Sequence, residues 1–473
     1  MNVLMVSAEL YPFAVETPAA QCLDGLAKAL RQLGHEVTVA MPRHPGFEAA
    51  GLLLARRLSP LALPGEGEVT LFDGRLASGV KLVLFDAASA FDRAVVYRSG
   101  GEPCADNARR FGLLSRAVAA FVAADGRGGF DVVHGHDWPG ALCAFALSRS
   151  GVARPFVLGI HDADLPRTFA FSDAGALGLP DEARDAFTVD GRLDVLLGAL
   201  PSCDAVLVDS PSYARELLDS EASGRLANAL AALPREVVGE APGIDYAVYN
   251  PATDSALESR YDPEDCSNKG RSKTAMLRDM GLELEQGRPL AVALCSPGRA
   301  GGADVLVAAI PTLMKQNMTL IVSGPLEAKL DGELRDAVAR YPEALGFVDA
   351  PTDATLRRLL ASADISLCPA RHDPMALSVR HAQRYGAVPV AHAASGVADA
   401  IVDCDAELET GTGFSFDDAV PAALVGATRR ALAAYAVRSF AKLVRRVMRL
   451  DLGWDRPARR TLQVYRDAGA ARS

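Results

Sequence analysis

The chain has 473 residues, of which 49% are hydrophobic and 23% charged, a composition typical of an α/β protein with more than one domain. Its formal net charge of -10 excludes a general nucleic-acid binder, which would be basic. No apolar run approaches the roughly 20 residues of a membrane span, and Met1–Ser7 lacks the basic flank of a signal peptide. The eight cysteines contain no C-x-x-C pair, which indicates reduced thiols in the cytoplasm.

The N-terminal residues predict a βαβ unit. Val3–Ser7 and Val37–Ala40 are apolar enough to form buried strands, and leucines recur between them at helical spacing as far as Gly34. Pro18 can open the helix, because its fixed φ suits a first turn. The loop before this helix, Val15–Ala19, contains a carboxylate and a proline.

Two polar motifs follow predicted strands further along the chain. The motif His134-Gly-His-Asp-Trp138 ends one strand, and His161 with Asp162 directly follows another, Phe156–Ile160. A His-x-His-Asp run suggests a metal site, but no further group of ligand residues supports one, so we expect no metal. Without other information, histidines at strand ends are structural more often than functional.

The second half of the chain repeats the alternation of strand and helix. The polar, proline-containing stretch 242–255 predicts a linker, and Lys273–Met280 predicts the first helix after it. Leu290–Cys295 and Thr319–Ser323 are predicted buried strands. The glycine-rich stretch 296–304 follows the first of these strands; such a turn before a helix can bind phosphate through backbone N–H groups, although a tight structural turn is the simpler interpretation.

The stretch 363–399 predicts another βαβ unit, whose loops lie at the carboxyl ends of parallel strands. Ile365–Cys368 and Val388–Val390 read as its strands, and Met375–Tyr385 has helical spacing up to Gly386. Further on, Leu424–Leu450 is predicted to be helical and rich in arginine.

These residues resemble the bacterial glycogen synthase and plant starch synthase family. The family pattern S-R-x-E-P-C-G-L-T-Q-L-x-A-x-x-Y-G followed by P-V-x-x-x-T-G-G-L-x-D is matched at Arg371, Pro374, Leu377, Ala382, Tyr385, Gly386, Pro389, Val390, Gly396 and Asp399. The family motifs H-x-H-D-W, I-H-N, V-T-T-V-S-P-x-Y-A-x-E, W-N-P-A-T-D and D-F-S-W-x-R resemble residues 134–138, 160–162, 205–216, 249–254 and 451–456. The resemblance is colinear over nearly the whole chain.

The resemblance implies an α/β fold with two Rossmann-like domains facing a cleft, the GT-B type of glycosyltransferase. The expected boundaries are an N-terminal acceptor-side domain at 1–241, a linker at 242–255 and a nucleotide-sugar-side domain at 256–450. Residues 451–473 are expected to cross back to the N-terminal domain.

Members of the family transfer glucose from ADP-glucose to an α-1,4-glucan with retained configuration and need neither metal nor cofactor. The catalytic residues that the resemblance implies are His161, Asp137 and Asp373. The donor-binding residues that it implies are Arg299, Gly301, Gly302, Ser378, Ser395 and Gly396.

The chain departs from the family pattern where the donor phosphates are bound. Val15 stands in place of the lysine of the K-T-G-G-L loop, and Pro18 replaces a glycine, which removes one N–H donor. Pro297 takes the place of a diphosphate-binding arginine, and the lysine that follows in the family is missing. Asp373 is one methylene shorter than the family's glutamate. Each lost cation or donor commonly costs about 2.7–4 kcal/mol of transition-state stabilisation.

Three functions therefore remain open. The first is a synthase-like transferase that still uses ADP-glucose and an α-glucan acceptor. The second is a non-catalytic homologue that binds glucan or a partner synthase. The third is a glycosyltransferase with another nucleotide-sugar donor. In all three we expect a cytoplasmic protein that binds neither nucleic acid nor a membrane.

Overall fold

The structure is a computed structural model that describes residues 1–63, 67–124, 129–296 and 298–470. It divides into two compact units, one comprising Met1–Gly243 and the chain from Trp454 onward, the other comprising Ile244–Gly453. Each unit is an α/β layer structure built on a mostly or entirely parallel sheet. The predicted class, two Rossmann-like units, is confirmed.

The first unit is organised around a ten-stranded sheet. The strands of this unit are β1 (Asn2–Val6), β2 (Glu36–Pro42), β3 (Leu54–Arg56), β4 (Leu61–Leu63), β5 (Gly67–Arg75), β6 (Lys81–Asp86), β7 (Arg98–Ser99), β8 (Glu102–Pro103), β9 (Val132–His136), β10 (Phe156–Ile160), β11 (Thr168–Ala170), β12 (Thr188–Val189), β13 (Arg192–Asp194), β14 (Ala205–Val208) and β15 (Val238–Gly239). The sheet order is β15-β14-β10-β9-β1-β2-β6-β5-β3, with β4 paired to β5. The pairs from β15 to β6 are parallel, whereas β5 runs antiparallel to its neighbours.

Helices connect these strands. They are α1 (Ala19–Gln32), α2 (Gly46–Ala49), α3 (Ala88–Phe91), α4 (Asn107–Ala124), α5 (Asp137–Arg149), α6 (Ala174–Leu177), α7 (Arg184–Phe187), α8 (Val195–Ala199), α9 (Pro211–Leu218), α10 (Ser220–Ser223) and α11 (Arg225–Ala231). In α1 the leucines at 23, 26 and 30 are buried, as their spacing predicts. The central strands are buried along their whole length because helices cover the sheet, which is why their sequences are continuously apolar.

The second unit has a six-stranded, entirely parallel sheet of order β18-β17-β16-β19-β20-β21. Its strands are β16 (Leu290–Leu294), β17 (Thr319–Ser323), β18 (Leu345–Val348), β19 (Ile365–Cys368), β20 (Val388–His392) and β21 (Phe414–Phe416). Its helices are α12 (Lys269–Asp279), α13 (Ala303–Leu313), α14 (Ala328–Arg340), α15 (Asp353–Ser362), α16 (Leu377–Arg384), α17 (Val397–Ala400), α18 (Pro421–Tyr435) and α19 (Phe440–Met448). The strands predicted in this half are therefore present, with ends that differ by one or two residues.

Three predicted helices have different bounds in the structure. The helix predicted over Lys273–Met280 is α12, which begins four residues earlier, at Lys269. The helix predicted from Met375 begins at Leu377, because Ala376 has a φ of 50° in the left-handed region and cannot belong to a right-handed helix. The helix predicted over Leu424–Leu450 is two helices, α18 and α19. They separate because α18 packs on α13 and β21 whereas α19 packs on α16.

The last helix, α20 (Asp455–Ala470), belongs to the first unit. Trp454, just before it, packs on Gly25 of α1 so closely that a Cβ at Gly25 would lie 2.2 Å from the indole Nε1. The predicted linker residues Tyr249 and Asp254 lie in the second unit, where Tyr249 stacks on His381 with ring centroids 3.8 Å apart. None of the helices among the described residues is long and apolar enough to span a bilayer.

Candidate functional site

Four titratable residues follow neighbouring strands at one edge of the first unit's sheet. Glu9 lies after β1, Asp137 after β9, His161 after β10 and Asp209 after β14. These strands are adjacent and parallel, so their carboxyl ends meet at the same edge. All four side chains are buried. Open α/β sheets bind ligands at such an edge, which makes it the candidate site of this unit.

His161 is held at both ring nitrogens. Its Nδ1 lies 2.9 Å from Oδ2 and 3.0 Å from Oδ1 of Asp209, and its Nε2 lies 2.9 Å from Nδ1 of His136. Burial by itself would lower the pKa of His161, but the negative charge and hydrogen bond of Asp209, together with Asp137 and Glu9, raise it to about 9. The carboxyl groups around His161 therefore favour its protonated form.

Asp137 stands where β9 turns into α5. Its φ of 51° lies in the left-handed region, which residues other than glycine rarely adopt. Its Oδ1 accepts hydrogen bonds from the backbone N–H groups of His161 at 2.8 Å and Asp162 at 3.1 Å. Burial raises the pKa of Asp137 to about 6. The predicted residues Asp137 and His161 are thus in direct contact.

The remaining histidines of the H-x-H-D-W motif are buried beside this pair. His134 Nδ1 lies 2.8 Å from the hydroxyl of Tyr465 in α20, and the ring centroids of His134 and His136 are 4.2 Å apart. Burial lowers the pKa of His134 to about 3 and lowers that of His136 as well, so both are neutral. Within the described residues of the first unit, no three His, Cys, Asp or Glu ligand atoms lie within 4.8 Å of one another. The histidines are therefore not arranged around a preformed metal position.

Glu9 is a site residue that the sequence analysis did not single out. Its carboxylate accepts hydrogen bonds from the backbone N–H of Glu16, from that of Thr17 at 2.7 Å and from the Thr17 hydroxyl at 2.7 Å. Burial raises its pKa to about 7, against the opposing effect of these hydrogen bonds. The only signal in the sequence is one acidic residue shortly after a buried strand.

The loop that Glu9 holds is Val15–Ala19, in which the family's lysine and one of its glycines are replaced. A second carboxylate, that of Glu16, fixes the loop from its other side: its Oε2 accepts from the backbone N–H groups of residues 96, 97 and 98 at 3.2, 2.7 and 3.2 Å. The amides of Glu16 and Thr17 are therefore engaged with protein carboxylate.

In the second unit, the loops after β16 and β19 meet at the carboxyl edge of the sheet. Arg371, after β19, donates from its backbone N–H to Ala300 at 2.7 Å and from Nη1 to the Arg299 carbonyl at 2.9 Å. Its guanidinium also forms a bidentate ion pair with Asp304 at 2.6 and 2.8 Å. Arg299 itself is exposed, and its side chain makes no hydrogen bond or ion pair with the described residues. Pro297 lies outside the residues that the structure describes.

Gly301 and Gly302 pack against the neighbouring backbone in this turn. A Cβ at Gly301 would lie 2.2 Å from the Ser296 carbonyl oxygen, and one at Gly302 would lie 2.1 Å from that of Pro369. Gly302 also has a φ of 70°. The N–H groups of Gly301 and Gly302 donate within the turn, each at 3.2 Å. These glycines are explained by close packing alone.

Asp373 is the half-buried carboxylate of the β19 loop. Its Oδ1 accepts from the N–H of Ala376 at 2.8 Å, and its Oδ2 from the Ser378 hydroxyl at 3.3 Å. Burial raises its pKa, although these hydrogen bonds oppose the shift. Gly396 donates its N–H to the Asp373 carbonyl at 3.2 Å, and the hydroxyl of Ser395 lies 3.1 Å from His372 Nδ1. The predicted residues of this loop and of the β20 loop thus lie together.

The comparisons with known proteins agree with this architecture. Residues 2–232 match the starch synthase catalytic domain, and residues 290–434 match glycosyl transferases group 1. Glycogen synthase from Thioalkalivibrio sulfidiphilus is 34% identical over 484 residues, covering 99% of both chains. Glycogen synthase 2 from Agrobacterium fabrum is 32% identical over 476 residues, covering 98% of this chain and 92% of the relative.

Among solved structures, the catalytic domain of starch synthase IV from Arabidopsis thaliana, bound to ADP and acarbose, superposes with a TM-score of 0.90 at 22% identity, covering 99% of both chains. Sucrose-phosphate synthase from Thermosynechococcus elongatus has a TM-score of 0.62 at 16% identity, covering 99% of both chains. The fold, together with the matching glycosyltransferase family models, defines a glycosyltransferase of the GT-B class. Within that class, the chain belongs to the glycogen and starch synthase family, because relatives at 32–34% identity span nearly its whole length.

Proposed function

We propose that this protein is a glycogen synthase-type glucosyltransferase that binds α-glucan and transfers glucose from ADP-glucose far more slowly than an intact donor site allows. The observation that carries the proposal is that the groups available for the donor phosphates already have protein partners. Glu9 engages the amides of Glu16 and Thr17 in the loop where Val15 replaces the family's lysine.

Among the described residues of the donor loops, one cation is left without a protein partner. Arg299 is exposed and unpaired within the described residues, so it is the group that we assign to the diphosphate, next to the turn of Gly301 and Gly302. We assign Ser378, Ser395 and Gly396 to the same donor side. Because one lost charge-stabilising donor commonly costs about 2.7–4 kcal/mol, a single remaining arginine predicts a rate lower by at least about 100-fold.

We assign His161, Asp137 and Asp373 to the reaction centre. Asp373 stands where the family has glutamate, but both of its oxygens stabilise its own loop through Ala376 and Ser378. A shift of about 1 Å in a reacting group costs on the order of 100-fold in rate. Because the Asp373 carboxylate is engaged with its own loop, it supports the same conclusion as the donor loops, namely that glucose transfer is slow.

The proposal also includes a glucan acceptor and a cytoplasmic location. The related starch synthase IV domain was solved with ADP and acarbose, which supports a nucleotide and a glucan-like acceptor as the ligands of this chain. All eight cysteines are free thiols, which supports a cytoplasmic location.

Transfer and glucan binding are tested separately. Radiolabelled ADP-glucose and glycogen are incubated with the protein and, in parallel, with the Thioalkalivibrio sulfidiphilus glycogen synthase. We expect incorporation at least about 100-fold slower than by that relative, abolished by Arg299→Ala and unchanged by Arg271→Ala, an exposed arginine on α12. Co-sedimentation with glycogen should remain. A rate equal to the relative's, or failure to sediment, would contradict the proposal.

A second candidate is a transferase with a different donor. Arg299, which is exposed and has no partner among the described residues, favours it, because one cation suits a donor with less phosphate charge than ADP-glucose. Thermal shifts with a panel of sugar nucleotides and sugar phosphates test it: a larger shift with another donor than with ADP-glucose supports this candidate. A third, a non-catalytic subunit of a partner synthase, is supported if the protein sediments with glycogen yet incorporates no glucose at any concentration.

A further inference from the structure

Asp209 adds a carboxylate beside His161 that the family pattern does not contain. Asp209 directly precedes Ser210 and Pro211, and in the pattern V-T-T-V-S-P that position is valine. It is 6% exposed, and its two oxygens lie 2.9 and 3.0 Å from His161 Nδ1. The residue therefore brings a buried negative charge to a histidine that is itself buried.

The hydrogen-bond partners determine where the protons of this cluster lie. His161 Nδ1 lies within hydrogen-bond distance of both Asp209 oxygens, and a carboxylate accepts hydrogen bonds, so Nδ1 carries the hydrogen. His161 Nε2 faces His136 Nδ1, and one of these two nitrogens must donate. His136 is 3% exposed and has no carboxylate partner among the described residues, so burial favours its neutral form. His161 faces the carboxyl groups of Asp209, Asp137 and Glu9, so the additional hydrogen lies on His161 and its Nε2 donates to His136 Nδ1. His161 consequently holds both ring hydrogens.

The neutral His136 then carries its hydrogen on Nε2. That nitrogen is buried without a hydrogen-bond partner among the described residues. His136 lines a cavity of about 50 Å³ together with Glu240 and Thr461. Since about 10–15 Å³ of such space holds one water molecule, the cavity has room to satisfy the Nε2–H group with water.

The groups that face His161 from the neighbouring strand ends favour a positive charge on its ring. Asp209 after β14, Asp137 after β9 and Glu9 after β1 contribute carboxyl groups, and the neutral His134 and His136 contribute none. We propose that Asp209 is a positioning residue that holds His161 as an imidazolium whose Nε2–H is directed to His136. His161 then has no lone pair with which to accept a hydrogen from a sugar hydroxyl, so it does not act as a base. This inference goes beyond the proposed function and does not depend on glucose transfer.

The protonation state is read directly from the unmodified full-length protein. The nitrogen spectrum of ¹⁵N-histidine-labelled protein distinguishes an imidazolium from either neutral tautomer, and His161→Gln identifies its signals. At pH 7.5 we expect both nitrogens of His161 to be protonated. A neutral His161 at this pH would overturn the proposal.

The role of Asp209 is tested by the pH titration of the same signals. In Asp209→Asn the midpoint of His161 should fall by about 2 units, because the opposite charge that favours the protonated form is gone. Asp204→Asn is the matched control: Asp204 precedes β14 at its other end and accepts from the Phe156 N–H at 2.7 Å. It should leave the His161 midpoint unchanged. An unchanged midpoint in Asp209→Asn, or an equal fall in both variants, would refute the positioning role.

Discussion

The buried Glu9 predicts a pH dependence of stability that a single substitution should remove. Burial raises its pKa from 4.5 to about 7 in the folded protein. Between these two values the unfolded chain has lost the proton whereas the folded chain still binds it. Raising the pH therefore favours the unfolded state, and the stability contributed by Glu9 falls across this window.

The magnitude follows from the size of the shift. A pKa shift of one unit corresponds to about 1.36 kcal/mol, so the rise in the Glu9 pKa amounts to a loss of about 3 kcal/mol between pH 4.5 and pH 7. In Glu9→Gln the side chain does not titrate, but its carbonyl oxygen can still accept hydrogen bonds from the amides of Glu16 and Thr17. The difference in unfolding free energy between wild type and variant should then change by about 3 kcal/mol in favour of the variant as the pH rises through the window.

Urea denaturation followed by tryptophan fluorescence measures this difference. The two tryptophans of the chain, Trp138 and Trp454, both belong to the first unit, so the signal reports the unit that contains Glu9. The control is Glu102→Gln, which removes an exposed glutamate of the same unit. Parallel stability curves for wild type and Glu9→Gln from pH 4.5 to 8 would refute the reasoning.

Three further predictions concern the loops. Ala376→Gly should stabilise the protein by about 0.5–1 kcal/mol. The substitution relieves about 1–2 kcal/mol of left-handed backbone strain, which exceeds the additional conformational entropy that a glycine loses on folding. A loss of stability in chemical denaturation would contradict this. Glu16→Gln should accelerate hydrogen exchange of the amides of residues 96–98 by about 10-fold or more, since three charge-assisted bonds are weakened; unchanged exchange by mass spectrometry would show that other contacts hold this segment. Asp373→Glu should raise the rate of glucose incorporation from ADP-glucose by about 10-fold or more, because a longer side chain extends beyond its loop; an unchanged rate would assign the limitation to the donor phosphates.

Much of the fold was predictable because its signals are local. Continuous apolar runs such as Phe156–Ile160 specify buried parallel strands, and the leucine spacing before Gly34 specifies α1. The bounds failed where packing intervened, as at Ala376, whose left-handed φ no local preference predicts. The colinear family motifs also located the strand ends that carry Asp137, His161 and Asp373.

By itself, then, the sequence determined the α/β class, the family and the positions at which family cations are replaced. Only the tertiary structure decided what the remaining polar groups do. Glu9 accepts hydrogen bonds from backbone amides of the Val15–Ala19 loop. Asp209 stabilises the protonated form of His161, which lies 48 residues before it. Such pairings depend on which strand ends lie side by side in the sheet. Inside a buried site each polar group must find a partner, and the nearest one is set by sheet order rather than by distance along the chain.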